Sequence, residues 1–447
     1  MRINSTVILI AGFIGSLFVT SNAYSTPNIQ HWETANGAKV YFVAAPELPM
    51  VDVQLVFDGG AARDGDKSGL AVLTNGLLSE GAGDLNADQI AEQFDALGAR
   101  FSNNAERDMA LIGLRSLSDP QVLNPGVKLL NTILTKPTFP ADAFERERNR
   151  MLLAIDQRQQ SPGDLAQEAF YKAVFGDHPY SSLPDGQKDS VTALTVDDVK
   201  TFYQTYYVAK NAVIAIVGSL DKSQAEQLAN AIVDGLPPGQ HAPDLPDVNP
   251  LDSGKDIAID HPSTQTHILV GAPGMTRGDP DYFNLYVGNH ILGGNGLVSR
   301  LSEEIREKHG LSYSTYSYFV PMRKQGPFIL GLQTKNESAQ KALQMLKDEL
   351  RKFIDQGPTA EEVEAAKKNL TGGFPLRISS NSKIVGYIAM IGFYGLPLDY
   401  LDKFNANIEA VTPASIKAAF QRRIDPAKMV TVLVGREQTD TAANSAK

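Results

Sequence analysis

An internal repeat constrains the fold of this 447-residue chain more than any other feature of its sequence. Residues 194–200 match residues 411–417 at an offset of 217, and the same offset carries 213–218 onto 430–435. Each copy reads as a helix that follows a threonine cap, and then as an apolar strand that ends in glycine. An ungapped match over 25 positions indicates that the chain consists of two homologous halves.

The strand-like segments alternate between apolar and polar residues, as at 51–57, instead of being apolar throughout. This alternation is typical of antiparallel sheets that cover the core with one face. We therefore predict an α+β fold of two homologous α/β-type halves, each a mainly antiparallel sheet with helices packed on one face. A proline-rich linker at 236–254 should join domains at 28–235 and 255–436, and a polar tail should follow at 437–447.

The first residues have the pattern of a secretory signal. Arg2 precedes an apolar run at 7–19, which is too short to span a bilayer, and small residues follow at 21 and 23. We predict a signal peptide at 1–23 and a periplasmic location, with an uncleaved anchor as the alternative. No later segment is apolar over a membrane-spanning length, so we expect no membrane contact after cleavage.

Composition excludes several classes of function. A net charge of −10 argues against nucleic acid as a partner. The chain has no cysteine, so disulfides, thiolate nucleophiles and thiolate metal sites are excluded. Its seven histidines are scattered and no two lie four residues apart, so the helical His-x-x-x-His metal clamp is absent.

The stretch 293–318 is the strongest candidate in the sequence for a binding or catalytic site. It reads as a glycine turn, a short helix and then a strand from 311 to 318. Gly310 is placed as the residue just after the helix end. The predicted helix has one apolar stripe, formed by Leu297, Leu301 and Ile305.

Two polar residues flank this helix end. Arg306 lies near the end of the helix and Tyr313 near the start of the strand, seven residues apart across a reversal of the chain. Both side chains can therefore point into one space, where they could bind a carbonyl or an anionic oxygen. The alternative is a surface arginine and a half-buried tyrosine without a shared role.

The two homologous halves, the proline-rich linker and the Arg306/Tyr313 stretch together resemble the pitrilysin/insulinase family of zinc peptidases, which includes the mitochondrial processing peptidases. The resemblance covers about residues 30–436. In the second half it extends to the runs at 372–377 and 392–397, which are similar to those of the short bacterial members.

Catalytic members of that family carry an inverted His-x-x-Glu-His motif on a helix of the first half. The matching helix at 69–78 has Val72 and Gly76 at the histidine positions and Asn75 at the glutamate position, and the third-ligand position falls on Ala154. Valine, glycine and alanine offer no ligand side chain, and asparagine is not a base. We therefore expect no zinc or other cofactor in this chain, and no hydrolysis by this chain alone.

Two further features concern the helices at 69–78 and 141–159. Glu147 is retained on the charged helix at 141–159, and we expect it to form an ion pair with Arg150 or Arg146. The residues at 75 and 76 are poor helix formers. They indicate either a helix face without a catalytic role or close packing at that face.

In short bacterial members of the family, one chain often carries the zinc motif and another supplies the arginine and tyrosine. The resemblance implies a non-catalytic subunit of a periplasmic heterodimeric zinc metallopeptidase, in which Arg306 and Tyr313 act in trans on a peptide substrate. Zinc would be bound only by the homologous partner. A catalytically inert peptide-binding or scaffold protein of the same fold is the alternative. A peptidase with a different site is a third, although no Ser-His-Asp order is evident.

Overall fold

The structure, a computed structural model, describes residues 26–436. The predicted signal peptide at 1–23 and the predicted tail at 437–447 lie outside the described residues. Between residues 26 and 436, no helix is both long enough and apolar enough to cross a membrane.

The described part contains thirteen strands and fourteen α-helices. The strands are β1 (Gln30–Glu33), β2 (Lys39–Ala44), β3 (Met50–Phe57), β4 (Gly81–Ala82), β5 (Leu85–Asn86), β6 (Arg100–Ala105), β7 (Ala110–Leu117), β8 (Ala212–Gly218), β9 (Lys255–Asp260), β10 (Gln265–Pro273), β11 (Thr315–Phe319), β12 (Pro327–Lys335) and β13 (Val430–Gly435). The helices are α1 (Leu70–Leu77), α2 (Ala87–Ala96), α3 (Pro120–Thr135), α4 (Ala141–Arg158), α5 (Pro162–Phe175), α6 (Lys188–Ala193), α7 (Val196–Tyr206), α8 (Lys222–Val233), α9 (Tyr282–Asn289), α10 (Ala339–Gln356), α11 (Ala360–Arg377), α12 (Asn381–Tyr394), α13 (Tyr400–Glu409) and α14 (Pro413–Arg423).

The two main sheets have the same strand order, which confirms the two homologous halves. The first sheet is β1-β2-β8-β3-β7-β6 and the second is β11-β12-β10-β13-β9. When β1 is left out and the second sheet is read from β9 to β11, the strands β2, β8, β3, β7 and β6 correspond in order to β9, β13, β10, β12 and β11. In each sheet only one pair is parallel, β2 with β8 and β9 with β13, so the sheets are mainly antiparallel as predicted.

Each half also places one helix on the other half's sheet. The second-half helix α12 packs on β8, β3 and β2, and the first-half helix α5 packs on β13 and β10. The strand β8 is therefore buried on both faces. Its Ile214 and Ile216 point to the first half's own helices, and its Val213 and Ala215 belong to the core that includes α12. This explains why β8 is apolar throughout although the sheet is mainly antiparallel.

Glycines allow these two helices to approach the sheets closely. A Cβ atom added to Gly392 of α12 would lie 2.5 Å from a ring carbon of Tyr41 on β2. A Cβ atom added to Gly271 of β10 would lie 2.6 Å from the ring of Phe170 on α5. The predicted fold had helices on only one face of each sheet. In the structure, the exchanged helices α12 and α5 cover the other faces.

A buried carboxylate joins the two halves. Asp108 is only 4% exposed and accepts hydrogen bonds from the Tyr180 hydroxyl at 2.5 Å, the Tyr394 hydroxyl at 3.0 Å and the Arg323 backbone N–H at 2.7 Å. Burial, together with the charge of Asp108, raises the pKa of both tyrosines. The Arg323 guanidinium also lies 3.2 Å from Asp58 of the first half. The halves are therefore joined by charged hydrogen bonds as well as by the exchanged helices.

The predicted linker at 236–254 contains no helix or strand. It lies along the molecule, with Leu245 and Val248 buried in a core cluster. The carbonyl oxygen of Pro246 lies 2.9 Å from the His178 Nε2 atom. The linker is thus packed against the first half, and the limits of the two domains stay predictions.

Candidate functional site

The helix α1 carries the positions that would form a zinc motif. It begins after Gly69, whose φ of 97° is one that glycine adopts readily. The Asp64 carboxylate accepts hydrogen bonds at 2.8 Å from the backbone N–H groups of Gly69 and Ala71. A carboxylate at this place satisfies donors that a helix start leaves free, so α1 is fixed from within the first half.

Asn75 is part of the core of the first half. It is 1% exposed, and its Nδ2 atom donates to the Tyr207 hydroxyl at 3.1 Å. The Asn103 side chain of β6 donates to the Asn75 backbone carbonyl at 2.6 Å. Burial raises the pKa of Tyr207, which keeps this hydroxyl neutral. The position of the family's catalytic base is thus occupied by a neutral, hydrogen-bonded amide.

The three ligand positions show different surroundings. Val72 packs against the hydrophobic core of the first half, and Ala154 is exposed on α4. A Cβ atom added to Gly76 would meet nothing within 4 Å. Close packing therefore accounts for Asn75 but not for Gly76. None of these side chains fits a zinc ion, and within residues 26–436 no group of three or more histidine or acidic residues is placed to hold a metal.

The ion pair predicted for Glu147 is confirmed with Arg150. The other candidate, Arg146, pairs with Glu80 instead. Glu147 is 7% exposed, so its side chain is buried although that of its partner Arg150 is exposed.

The helix predicted in the stretch 293–318 begins later than its apolar stripe indicates. Leu297 lies in a short 3₁₀ turn, Gly296–Val298, and is 65% exposed. The prediction was therefore wrong for Leu297, whereas Leu301 and Ile305 are fully buried. The segment Ser302–Lys308 is wound as a π-helix, a conformation that is frequent at functional sites.

The end of this helix agrees with the prediction, and the strand after it is shorter. Gly310 follows the helix with a φ of 63° and donates its N–H to the Arg306 carbonyl. The strand β11 begins at Thr315 and not at 311. The Ser312 hydroxyl donates to the Gln333 carbonyl at 2.7 Å, and this side-chain bond takes the place of regular strand pairing.

Arg306 and Tyr313 lie on the two sides of this turn. Arg306 belongs to the π-helix, its side chain is one-third exposed, and its Nε atom lies 3.5 Å from a Glu307 carboxylate oxygen. Tyr313 is 85% exposed, so the half-buried tyrosine of the alternative interpretation is not what the structure shows. That the two side chains share one ligand stays a prediction.

The duplicated sheets, the exchanged helices and an α1 without metal ligands define a two-half, peptidase-like protein with a degenerate metal motif. Residues 39–183 match the family model of insulinase (peptidase family M16), and residues 193–370 match that of the peptidase M16 inactive domain. The chain therefore belongs to peptidase family M16, the insulinase family.

Its relatives include a protein of Helicobacter pylori named "Non-peptidase homolog YmxG". That protein is 27% identical over 398 residues, which are 88% of this chain and 90% of the relative. Among solved structures, the peptidase M16 inactive domain from Pseudomonas fluorescens superposes with a TM-score of 0.89 at 40% identity, over 92% of this chain and 99% of that one. The periplasmic protease PqqL from Escherichia coli shares the fold, with a TM-score of 0.77 at 16% identity, over 97% of this chain and 49% of that one.

Proposed function

We propose that this chain is the non-catalytic subunit of a periplasmic heterodimeric zinc metallopeptidase. It closes one side of the peptide chamber and supplies Arg306 and Tyr313 in trans, while zinc is bound by a homologous partner that carries the complete motif. One contrast carries this proposal. Asn75 is built into the core and cannot act as a base, whereas Tyr313 is 85% exposed and free to reach another chain.

The chemistry of peptide hydrolysis explains how the pair acts. Attack of a zinc-bound water on a peptide carbonyl places negative charge on the carbonyl oxygen. A tyrosine hydroxyl or a guanidinium aimed at that oxygen stabilises the charge, and loss of one such donor costs about 10²–10³ in rate. A guanidinium also orients the peptide by holding its carbonyl groups. Neither role requires the pair to lie on the zinc-bearing chain.

Other observations support a partner at this segment. Leu297 and Val298, in the turn before the π-helix, are 65% and 77% exposed, and exposed apolar residues of this kind are often buried by a partner. Residues 193–370 match the family model of an inactive domain, and a relative is named as a non-peptidase. The periplasmic location rests on the signal-like first residues and on the periplasmic protease that shares the fold.

The test is reconstitution with a zinc-motif chain of the same family from the same organism. The purified chain should contain no zinc and cleave no peptide, and cleavage should appear when the two chains are mixed. Arg306→Ala and Tyr313→Phe should each lower kcat about 10²-fold without preventing assembly on gel filtration. The control Arg351→Ala, at an exposed arginine that pairs with Asp348, should leave kcat unchanged.

Unchanged turnover in both site variants would refute the action in trans. Recovery of no partner from the native periplasm, together with peptide binding by this chain alone, would favour the inert peptide-binding or scaffold protein.

A further inference from the structure

A cavity of about 320 Å³ lies between the exchanged helix α12 and the other helices of the second half. Its walls come from α9, from the end of α11, from α12 and α13, and from the loop before α9. The volume is that of a small-ligand pocket. The lining is rich in tyrosine, namely Tyr282, Tyr286, Tyr387 and Tyr400.

Three cations share this cavity, and no aspartate or glutamate is among the described residues that line it. They are Arg277, Arg377 and Lys383. In a chain with a net charge of −10, such a concentration of positive charge without an acidic partner is unusual. Like charges that line one site repel one another, and a bound anion would relieve that repulsion.

Arg277 brings a guanidinium that lies between two tyrosine rings. Its Nε atom is buried, and no described residue accepts a hydrogen bond from it. Its guanidinium carbon lies 6.0 Å from the ring centroid of Tyr282 and 5.5 Å from that of Tyr394. Arg277 also borders a second cavity that Glu106, Asp108 and Asp185 line. The Asp108 carboxylate accepts its three hydrogen bonds from other groups and not from Arg277.

The other two cations lie against neutral groups. The Arg377 guanidinium carbon lies 5.9 Å from the Tyr286 ring centroid. Lys383 Nζ donates to the Leu376 carbonyl at 2.7 Å. The Lys383 ammonium is therefore oriented before any ligand binds, which lowers the entropy cost of binding.

We infer that this cavity binds an organic anion, a carboxylate carried on an aromatic or apolar body. Guanidinium groups recognise carboxylates through paired hydrogen bonds, and tyrosine rings offer flat apolar faces beside hydroxyl donors. A peptide presents this chemistry either at its C-terminal carboxylate or at an acidic side chain next to an aromatic residue. The site contains neither Arg306 nor Tyr313, so it operates in the isolated chain and goes beyond the proposed subunit role.

Calorimetric titration of the purified chain with matched probes tests this inference. N-acetyl-phenylalanine carries a main-chain carboxylate, acetyl-glutamyl-phenylalanine amide a side-chain carboxylate, and N-acetyl-phenylalanine amide no charge. At least one acid should bind about tenfold or more tightly than the uncharged amide and than inorganic phosphate, because charged hydrogen bonds and ring contacts act together. The tighter acid identifies which source of carboxylate the cavity takes.

Variants locate the binding. Arg277→Gln and Arg377→Gln should each weaken binding of that acid about tenfold or more. Arg351→Gln makes the same change of net charge outside the cavity, and it should leave binding unchanged. If either variant does not fold, the exposed Lys383→Gln replaces it and should weaken binding at an unchanged Tm.

Three results would overturn the inference: equal binding of the acids and the uncharged amide, equal binding of phosphate, or an equal loss of binding in Arg351→Gln.

Discussion

Replacement of Asp108 by alanine should loosen the contact between the two halves. The carboxylate accepts one hydrogen bond from Tyr180 of the first half and two from the second half, from Tyr394 and from the Arg323 backbone. Alanine leaves these three donors without their acceptor at a buried place. Each buried unsatisfied donor costs about 1–3 kcal/mol, and water can enter the space left by the carboxylate. We therefore expect a loss of about 3–5 kcal/mol in the free energy of unfolding.

The more conservative Asp108→Asn should cost about half as much. The amide keeps one acceptor oxygen, but it replaces the other oxygen with a donor that faces a donor. Both variants should be compared with Asp355→Asn, at an exposed aspartate of α10, which should change stability by less than about 0.5 kcal/mol.

Urea unfolding followed by circular dichroism and by limited proteolysis measures the effect. Because the lost bonds cross from one half to the other, the unfolding midpoint should fall and the transition should separate into two steps. A double-mutant cycle with Tyr394→Phe should show a coupling of about 0.5–3 kcal/mol, because the two side chains are in contact. An unchanged midpoint, or strictly additive changes in the cycle, would refute the claim that Asp108 holds the halves together.

Three further predictions follow from single sites. Gly392→Ala should destabilise the protein by about 1–3 kcal/mol, because its Cβ atom would meet the Tyr41 ring. In the control Gly386→Ala, the added Cβ atom meets nothing within 4 Å, so stability should stay the same or rise by up to about 1 kcal/mol. Equal Tm shifts in the two variants would contradict this. Asn75→Ala should cost about 1–3 kcal/mol in urea unfolding by leaving a buried tyrosine hydroxyl unpaired, and a cost near zero would contradict it. Burial raises the pKa of Asp281, but hydrogen bonds from two arginines of α14 outweigh it and hold that pKa below its ordinary value. The stability that this carboxylate contributes is therefore complete above about pH 4 and is lost as the pH falls further. The difference in the free energy of unfolding between wild type and Asp281→Asn should shrink in acid. A difference that does not depend on pH would count against the pairing.

The fold could be predicted from the sequence as far as local patterns reach. The repeat and the alternating strands predicted two mainly antiparallel sheets, and the strand orders confirm them. The exchange of α5 and α12 was not predicted, because an amphipathic pattern shows that a helix face is buried but not which sheet buries it. Leu297 was misplaced for a related reason. Its spacing fits a helix, but Gly296, with a φ of 44°, and the following 3₁₀ turn end that pattern.

The site could be predicted only where residue type decides the chemistry. Valine at 72 and alanine at 154 cannot bind zinc in any conformation, so their assignment did not depend on tertiary structure. The burial of Asn75 under the Tyr207 hydroxyl did depend on it, because Tyr207 lies more than a hundred residues away in sequence. The cavity lined by Arg277 and Arg377 was missed because its residues come from five separate segments of the chain.

The contrast between the halves indicates where this chain makes its functional contacts. A helix that carries a catalytic metal is partly held by that metal. In this chain, α1 is held instead by the Asp64 cap and by the hydrogen bonds of Asn75, all within the first half. These hydrogen bonds fix α1 from within the first half. Tyr313 and Leu297 of the second half, by contrast, expose apolar surface that no part of the described chain covers. Exposed apolar surface beside polar residues is typical of interaction sites. We therefore expect that mutations near 297–313 will change assembly and turnover before stability, and that mutations around Asn75 will do the opposite.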